Sequence, residues 1–277
     1  MESALENFAI ASEAGLRLGV FIAVFCIMLI WELWLPRRPL SVSKSYRWTS
    51  NLSLLAINTL LLRLLFPAAA VGLAYSAREM HWGLFNHVGL PYWIEVVAAV
   101  LLLDLAIYLQ HVLMHRVPLL WRLHRVHHAD LDIDLTTGSR FHSIEILLSM
   151  LIKWLVILLL GPAMFAVLVF EVLLNGMAMF NHANVRLPDA ADRVLRKLLV
   201  TPDMHRVHHS VLMRETNSNY GFNLSVWDRV FRTYIAQPEQ GHDGMTIGIP
   251  EFRDLRQVDG LPGMLALPFV TRPGIQS

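Results

Sequence analysis

Cysteine is nearly absent from this chain. Of 277 residues only Cys26 is one, and it sits inside an apolar run. One thiol builds no internal disulfide, no thiolate metal site and no iron–sulfur cluster. Net charge is also missing. Lys and Arg number 23, Asp and Glu 22, which leaves +1, so nothing in the charge balance suggests a nucleic-acid partner. There is no CxxCH for haem attachment and no GxGxxG for a dinucleotide. No period of 20–50 residues marks a repeat array. Glu2, Glu6 and Glu13 stand where a signal peptide would have its basic start.

What is abundant is apolar. Hydrophobic residues make up 55% of the chain, above the usual share of soluble domains. Residues 18–35, 52–75 and 92–114 are each long enough to cross a bilayer, the second being interrupted by Arg63 and Pro67. Residues 144–160 and 163–180 are apolar and separated only by Gly161-Pro162, a turn signal that predicts a helical hairpin returning to its own side. The expected fold is all-α: an integral membrane bundle of about five transmembrane or membrane-embedded helices, capped by a cytosolic histidine-rich helical domain. Trp31 and Trp34 mark an interface. Residues 36–50 hold Arg37, Arg38, Lys44 and Arg47 with no acid, which places that loop in the cytosol. Span parity then brings both histidine clusters to the cytosolic side. Residues 188–200 read as a short amphipathic surface helix. The expected division is 1–92 for N-terminal spans, 93–235 for a catalytic domain and 236–277, rich in Gly and Pro, for a peripheral tail.

Ten of the thirteen histidines gather in a few places. His111, His115, His124, His127, His128 and His142 lie in one stretch, His205, His208 and His209 in another, and His182 between them. His111 and His115 are i, i+4 and share a helix face. The string HRVHH occurs twice, at 124–128 and 205–209, with partners at i+3 and i+4. Imidazole suits zinc, copper, iron and nickel. One metal commonly takes four protein ligands, so ten candidates point to two metals.

Together the strings DLAIYLQHVLMH, LHRVHH, RFHSIE, NHANV, TPDMHRVHHS and NYGFNLSVWDRVF resemble the fatty acid hydroxylase / sterol desaturase superfamily over roughly residues 100–235. The resemblance implies an integral membrane, non-haem di-iron oxygenase that uses dioxygen and two electrons to hydroxylate or desaturate a lipid. It carries the iron-ligand role onto His111, His115, His124, His127, His128, His182, His205, His208 and His209. His142 falls in the family's RxHPxE segment, where Ser143 replaces the proline. Asp104 and Tyr108 match the family's acid and aromatic before HxxxH. FRTY at 231–234 stands where FGT is common.

Metal-bound imidazoles usually give their second nitrogen to a carboxylate or carbonyl. Candidates are Asp104, Asp130, Asp132, Glu145, Asn184, Asp203 and Asn219, with Tyr108 nearby in sequence. An alkyl C–H bond has no acidic proton, so the oxidising power must come from a cofactor. With no redox motif of its own, the chain needs a separate electron-donor protein: a b-type cytochrome, a ferredoxin or a reductase. Arg116, Arg122, Arg125, Arg206 and Arg214 offer a basic surface for an acidic carrier or for lipid phosphates. A membrane metal-ion carrier or store is the alternative reading. It would need ligands at both ends of a path, and His81 and His87 are too few to form an exit.

Three polar stripes run towards the histidines. They are His142, Glu145, Ser149 and Lys153; Glu171, Asn175, Ala178 and His182; and Asp104, Tyr108, His111 and His115. Lys153 and Glu171 sit at matching depths in the hairpin. They are expected to pair near the floor of a substrate pocket walled by these helices, about 16 Å deep. Arg63 and Asp104 also match in depth and are expected to pair. Sterol, fatty acyl, ether-lipid and carotenoid substrates all suit such a pocket.

Overall fold

Inside a bilayer every peptide group must be bonded within its own segment or sheet, and this chain does so with helices. The computed structural model describes residues 1–271. Helix α1 (Glu2–Trp34) has 33 residues, about 50 Å of helix. Helices α2 (Lys44–Leu65) and α3 (Ala69–Glu79) take the place of the expected second span. The break falls at Pro67, whose ring cannot continue a helix, and Ala69 turns the chain with a φ of 49°. Helix α4 (Tyr92–Arg116) leads into α5 (Pro118–His128), which has proline at its first turn.

Helices α6 (Ser143–Leu160) and α7 (Met164–His182) form the expected hairpin. Gly161 ends α6 in the left-handed region at φ 59°, and a Cβ there would stand 2.1 Å from the Trp82 carbonyl oxygen. Short helices follow: α8 (Asp189–Leu195), α9 (Pro202–His208), α10 (Met213–Thr216), α11 (Val226–Val230), α12 (Gly241–Gly244), α13 (Leu255–Val258) and α14 (Leu261–Ala266). Among the described residues the only β pairings are isolated bridges.

Five helical segments are long and apolar enough to cross a membrane, with α2 and α3 counting as one. Their outer faces expose Ile22, Leu60, Leu64, Val97, Leu155 and Leu159, the side chains that only lipid accommodates in such number. Inward, small residues let the helices approach closely: Ala9, Ala70 and Ala74 pack with Val167, Leu168 and Phe170. The chain is a multi-pass membrane helical bundle.

Three expectations change here. Arg63 is exposed and makes no ion pair with Asp104, whose carboxylate accepts from Trp227 Nε1 at 2.8 Å and from the Leu224 N–H at 3.3 Å. The 236–277 segment is not peripheral within its described part. Val258, Met264 and Leu267 are buried with Leu54, Val126 and Ala129, and Arg125 donates to the carbonyls of Leu267 and Val270.

The basic loop is also less solvent-facing than its composition implies. Arg47 is fully buried and pairs with Asp130 at 2.7 Å and Asp134 at 2.5 Å. Arg140 in turn meets Asp259 at 2.8 Å. This network ties α2, the 129–140 loop and α13 into the floor of the histidine domain. The arginines Arg47 and Arg140 hold the Asp130 carboxyl well below the usual range, against the cost of its burial.

Candidate metal centre

Nine histidines meet in two groups. His111, His115, His124, His128 and His208 form one; His127, His182, His205 and His209 form the other. Within each group the ligand nitrogens all lie within 4.8 Å of one another. Helix geometry explains how one HRVHH can face both groups. At about 100° per residue, positions i and i+4 stand only about 40° apart, while i+3 points about 60° to the other side of i. Accordingly His124 and His128 serve the first group and His127 the second. On α9 and its C-cap the pair His205 and His209 serves the second group, and His208 the first.

Hydrogen bonds at the far edge of several rings fix which nitrogen is bare. A carbonyl only accepts, so the ring nitrogen facing it carries the proton. His111 Nδ1 donates to Tyr220 O at 2.8 Å, and His208 Nδ1 to Ser218 O at 2.7 Å. His124 Nδ1 lies 2.6 Å from the Glu145 carboxylate. In neutral rings this leaves three bare Nε2 atoms facing one another. His111 Nε2 is 3.1 Å from that of His124 and 3.0 Å from that of His208. In the second group His182 Nδ1 donates to Ala178 O at 2.8 Å, while its Nε2 is 3.1 Å from His127 Nε2 and 3.0 Å from His205 Nε2.

Converging lone pairs repel unless a cation lies between them. Two nitrogens at about 2.1 Å from one metal and at right angles would be about 3.0 Å apart, which matches the observed spacing. His128 and His209 are buried with neither ring nitrogen hydrogen-bonded, a cost of about 1–3 kcal/mol per unsatisfied group that coordination removes. The residues therefore fit a pair of metal ions. Burial, reinforced by neighbouring imidazoles, pushes His127, His128, His205 and His209 well below the ordinary histidine value, and His208 to about 3. Neutral imidazole is the ligating form.

The other expected residues separate. His142 lies outside both groups: its Nδ1 accepts from the Ile144 N–H and caps α6, and its Nε2 faces Leu265 O at 3.3 Å. Glu145 alone of the candidate supporting acids and amides bonds a clustered ring. Asp104 holds α11. Tyr108 bonds Thr233 Oγ1 at 2.9 Å and stacks on Phe231. Asp130 and Asp132 serve Arg47 and the backbone of residues 41–42. Asn184 binds the backbone of Arg38. Asp203 pairs with Arg206 and Arg37. Asn219 donates to Met204 O and Ile235 O. For His111, His182 and His208 backbone carbonyls take the place expected of side chains. Of the five arginines expected at a docking surface, Arg125 and Arg206 are buried.

Below the histidines, Ser149 accepts from Gln110 of α4 at 3.0 Å, and Asn175 bonds its own helix at Glu171 O. Lys153 and Glu171 form the expected ion pair, and Arg17 of α1 joins Glu171 from the other side at 2.9 Å.

Two positioning residues escaped sequence reasoning. Asp228 accepts the Tyr220 and Gly221 N–H groups at 2.7 and 2.8 Å and so sets the carbonyl that holds His111. Gly138 abuts Ala178 O, the acceptor of His182, so closely that a Cβ would stand 2.3 Å from that oxygen. Asp228 lies within NYGFNLSVWDRVF, and Gly138 carries no sequence signal.

The fatty acid hydroxylase family matches residues 96–233, the segment holding all nine clustered histidines. The ornithine lipid hydroxylase OlsE of Rhizobium tropici is 29% identical over 207 residues, covering 74% of this chain and 59% of the relative. The alkylglycerol monooxygenase of Xenopus tropicalis is 29% identical over 178 residues, 62% of this chain and 38% of the relative. Its Homo sapiens counterpart is 30% identical over 160 residues, 57% and 35% respectively. The chain thus spans less than two thirds of the length of each. No solved structure matches it significantly. On the match across 96–233 and the relatives that share it, the chain belongs to the fatty acid hydroxylase superfamily.

Proposed function

We propose that the chain is a di-iron oxygenase that uses dioxygen and external electrons to hydroxylate a membrane lipid. The carrying observation is the convergence of bare, buried imidazole nitrogens into two groups. The names of the relatives, a lipid hydroxylase and monooxygenases, favour hydroxylation over desaturation and a polar or ether lipid over a sterol. When bound, the iron pair supplies the oxidising power that no side chain has.

The chain's own residues do the rest. Glu145 and the carbonyls of Tyr220, Ser218 and Ala178 hold the ring tautomers. Burial of the cap excludes water. The stripes on α4, α6 and α7 wall a lipid pocket that includes Ser149, Lys153, Glu171 and Asn175. Electrons come from a separate donor protein. The histidine domain faces the cytosol. A metal carrier must exchange its ion with solvent, and eight of the nine clustered histidines are buried, His115 being half-buried, which argues against transport.

The test is metal analysis of the purified chain together with oxygen uptake on adding a lipid extract and a reducing system. Two irons per chain and a lipid product heavier by one oxygen are expected. Zinc in place of iron, or oxygen uptake indifferent to lipid, would overturn the proposal.

A further inference from the structure

A cavity of about 540 Å³ lies between α8 and the segment after α11, well away in sequence from every clustered histidine on α4 and α5. It is lined by Arg193, Val194, Arg196, Lys197, Arg229 and Tyr234. Arg196 is neutralised by Asp192 and donates to Ala236 O. Arg229 donates to the carbonyls of Ser225 and Arg196, and its guanidinium lies 4.3 Å over the Tyr234 ring. Arg193 and Lys197 are exposed and, among the described residues, have no carboxylate partner; Asp189, one turn before Arg193, makes no ion pair with it. Two exposed cations, Arg193 and Lys197, therefore line one concavity without a carboxylate partner, while Arg229 lies beside Asp228.

Two hydrogen bonds tie the segment beside this cavity to a span. Trp227 of α11 and the Leu224 N–H both reach Asp104 of α4. The Arg196 carbonyl accepts from Ser225 Oγ, and Leu199 bridges Leu224, so the end of α8 is tied to the same segment. Val194 in the lining is 65% exposed, and the adjoining sequence exposes Leu198 at 57%, Val230 at 60% and Phe231 at 48%. Unpaired cations beside exposed aliphatic and aromatic side chains suit the boundary where headgroups meet acyl chains.

We infer that this cavity is a binding site for the phosphate headgroup of an anionic phospholipid, with its acyl chains lying along Val194, Leu198, Val230 and Phe231. Guanidinium groups take phosphate oxygens in forked pairs, and Lys197 adds a point charge. The volume is in the range of small-ligand sites. The apolar rim selects a lipid over an acidic protein, whose own rim would be polar. The site does not depend on the metal centre or on the reaction proposed above.

The test is native mass spectrometry of the full chain in detergent, titrated with phosphatidylglycerol, phosphatidylcholine or inorganic phosphate. One phosphatidylglycerol per chain should bind at least tenfold more tightly than phosphatidylcholine. Arg193→Gln with Lys197→Gln should weaken it by about thirty-fold, since each cation near a lipid surface contributes a factor of about five to six. Arg193→Lys with Lys197→Arg should retain binding, and both double variants should melt with the wild type because the two side chains are exposed. Equal binding by the wild type and the glutamine variant would overturn the assignment, as would equal affinity for phosphatidylcholine. Displacement of the lipid by an equal concentration of inorganic phosphate would make this a free-anion site instead. Unchanged lipid binding with slower reduction by an acidic ferredoxin would make it a protein surface.

Discussion

Lys153→Met and Glu171→Gln should differ in cost, and the difference is set by Arg17. Glu171 is buried between two cations, Lys153 of α6 and Arg17 of α1, the latter at 2.9 Å. Arg17 also holds Glu13 at 2.8 Å. Removing one partner of a buried pair ordinarily costs about 3–5 kcal/mol, because the survivor is left charged and unpaired. Lys153→Met leaves Glu171 with Arg17, so its cost should fall below that range, to about 1–2 kcal/mol. Glu171→Gln leaves Lys153 buried with no carboxylate and should reach about 3 kcal/mol or more. The double variant removes both buried charges of the hairpin while Arg17 keeps Glu13, and should recover about 2 kcal/mol relative to Glu171→Gln. The assay is unfolding of the three variants in one detergent, where 1 kcal/mol corresponds to about 2–4 °C in Tm for a chain of this order of size. Lys153→Met as costly as Glu171→Gln, or a double variant whose cost is the sum of the two, would refute this reasoning. Activity and product chain length in the double variant, measured alongside, report whether the group also touches substrate.

Four further outcomes follow from the site. Glu145→Gln should weaken metal retention by about 10–100-fold, the usual effect of losing a ring's supporting carboxylate, read by chelator competition. His205→Ala leaves three ligands in a group of four and should lose about one metal per chain, whereas His115→Ala leaves four of five and should keep both; equal metal content would contradict the division. Burial raises Asp228 to about 6, above its unfolded value near 3.8. The folded state therefore binds the extra proton, and this contribution is full below pH 4 and lost as pH rises through 6. Wild-type stability relative to Asp228→Asn should fall by about 3 kcal/mol across that window, and a flat difference in unfolding measurements would rule the shift out. In a Cys26→Ser background, a membrane-impermeant thiol reagent applied to intact cells should label cysteine at position 88 but not at 45 or 214; the opposite pattern would invert the sidedness.

Much of the architecture is legible because it rests on local spacing. The apolar runs, the Gly161-Pro162 turn and the i, i+4 histidine pairs are properties of a few consecutive residues and a helix of fixed pitch. The Lys153–Glu171 pair is legible for the same reason, since both residues are counted from one turn. Pro67 marked an interruption in the second span, but only the folded chain shows it as a complete break with Ala69 at positive φ. His142 illustrates the opposite limit. Its spacing along α6 is that of a ligand stripe, yet its position at the N-cap turns the ring to the Ile144 N–H.

The sequence by itself determined that long helices would form, that they would be buried in lipid, and that histidines would share helix faces; these follow from side-chain polarity and helical period alone. Tertiary structure decided which face met which. It divided each HRVHH between two groups, because the division depends on where α4, α7 and α9 stand around α5. It chose backbone carbonyls of Tyr220, Ser218 and Ala178 as the orienting acceptors, and a carbonyl is present in every residue and so has no signature in composition. It buried Arg47 against Asp130 and brought Arg17 to Glu171 across more than 150 residues of chain. An ion pair between distant segments exists only once packing has excluded water from both partners, and no local pattern encodes that.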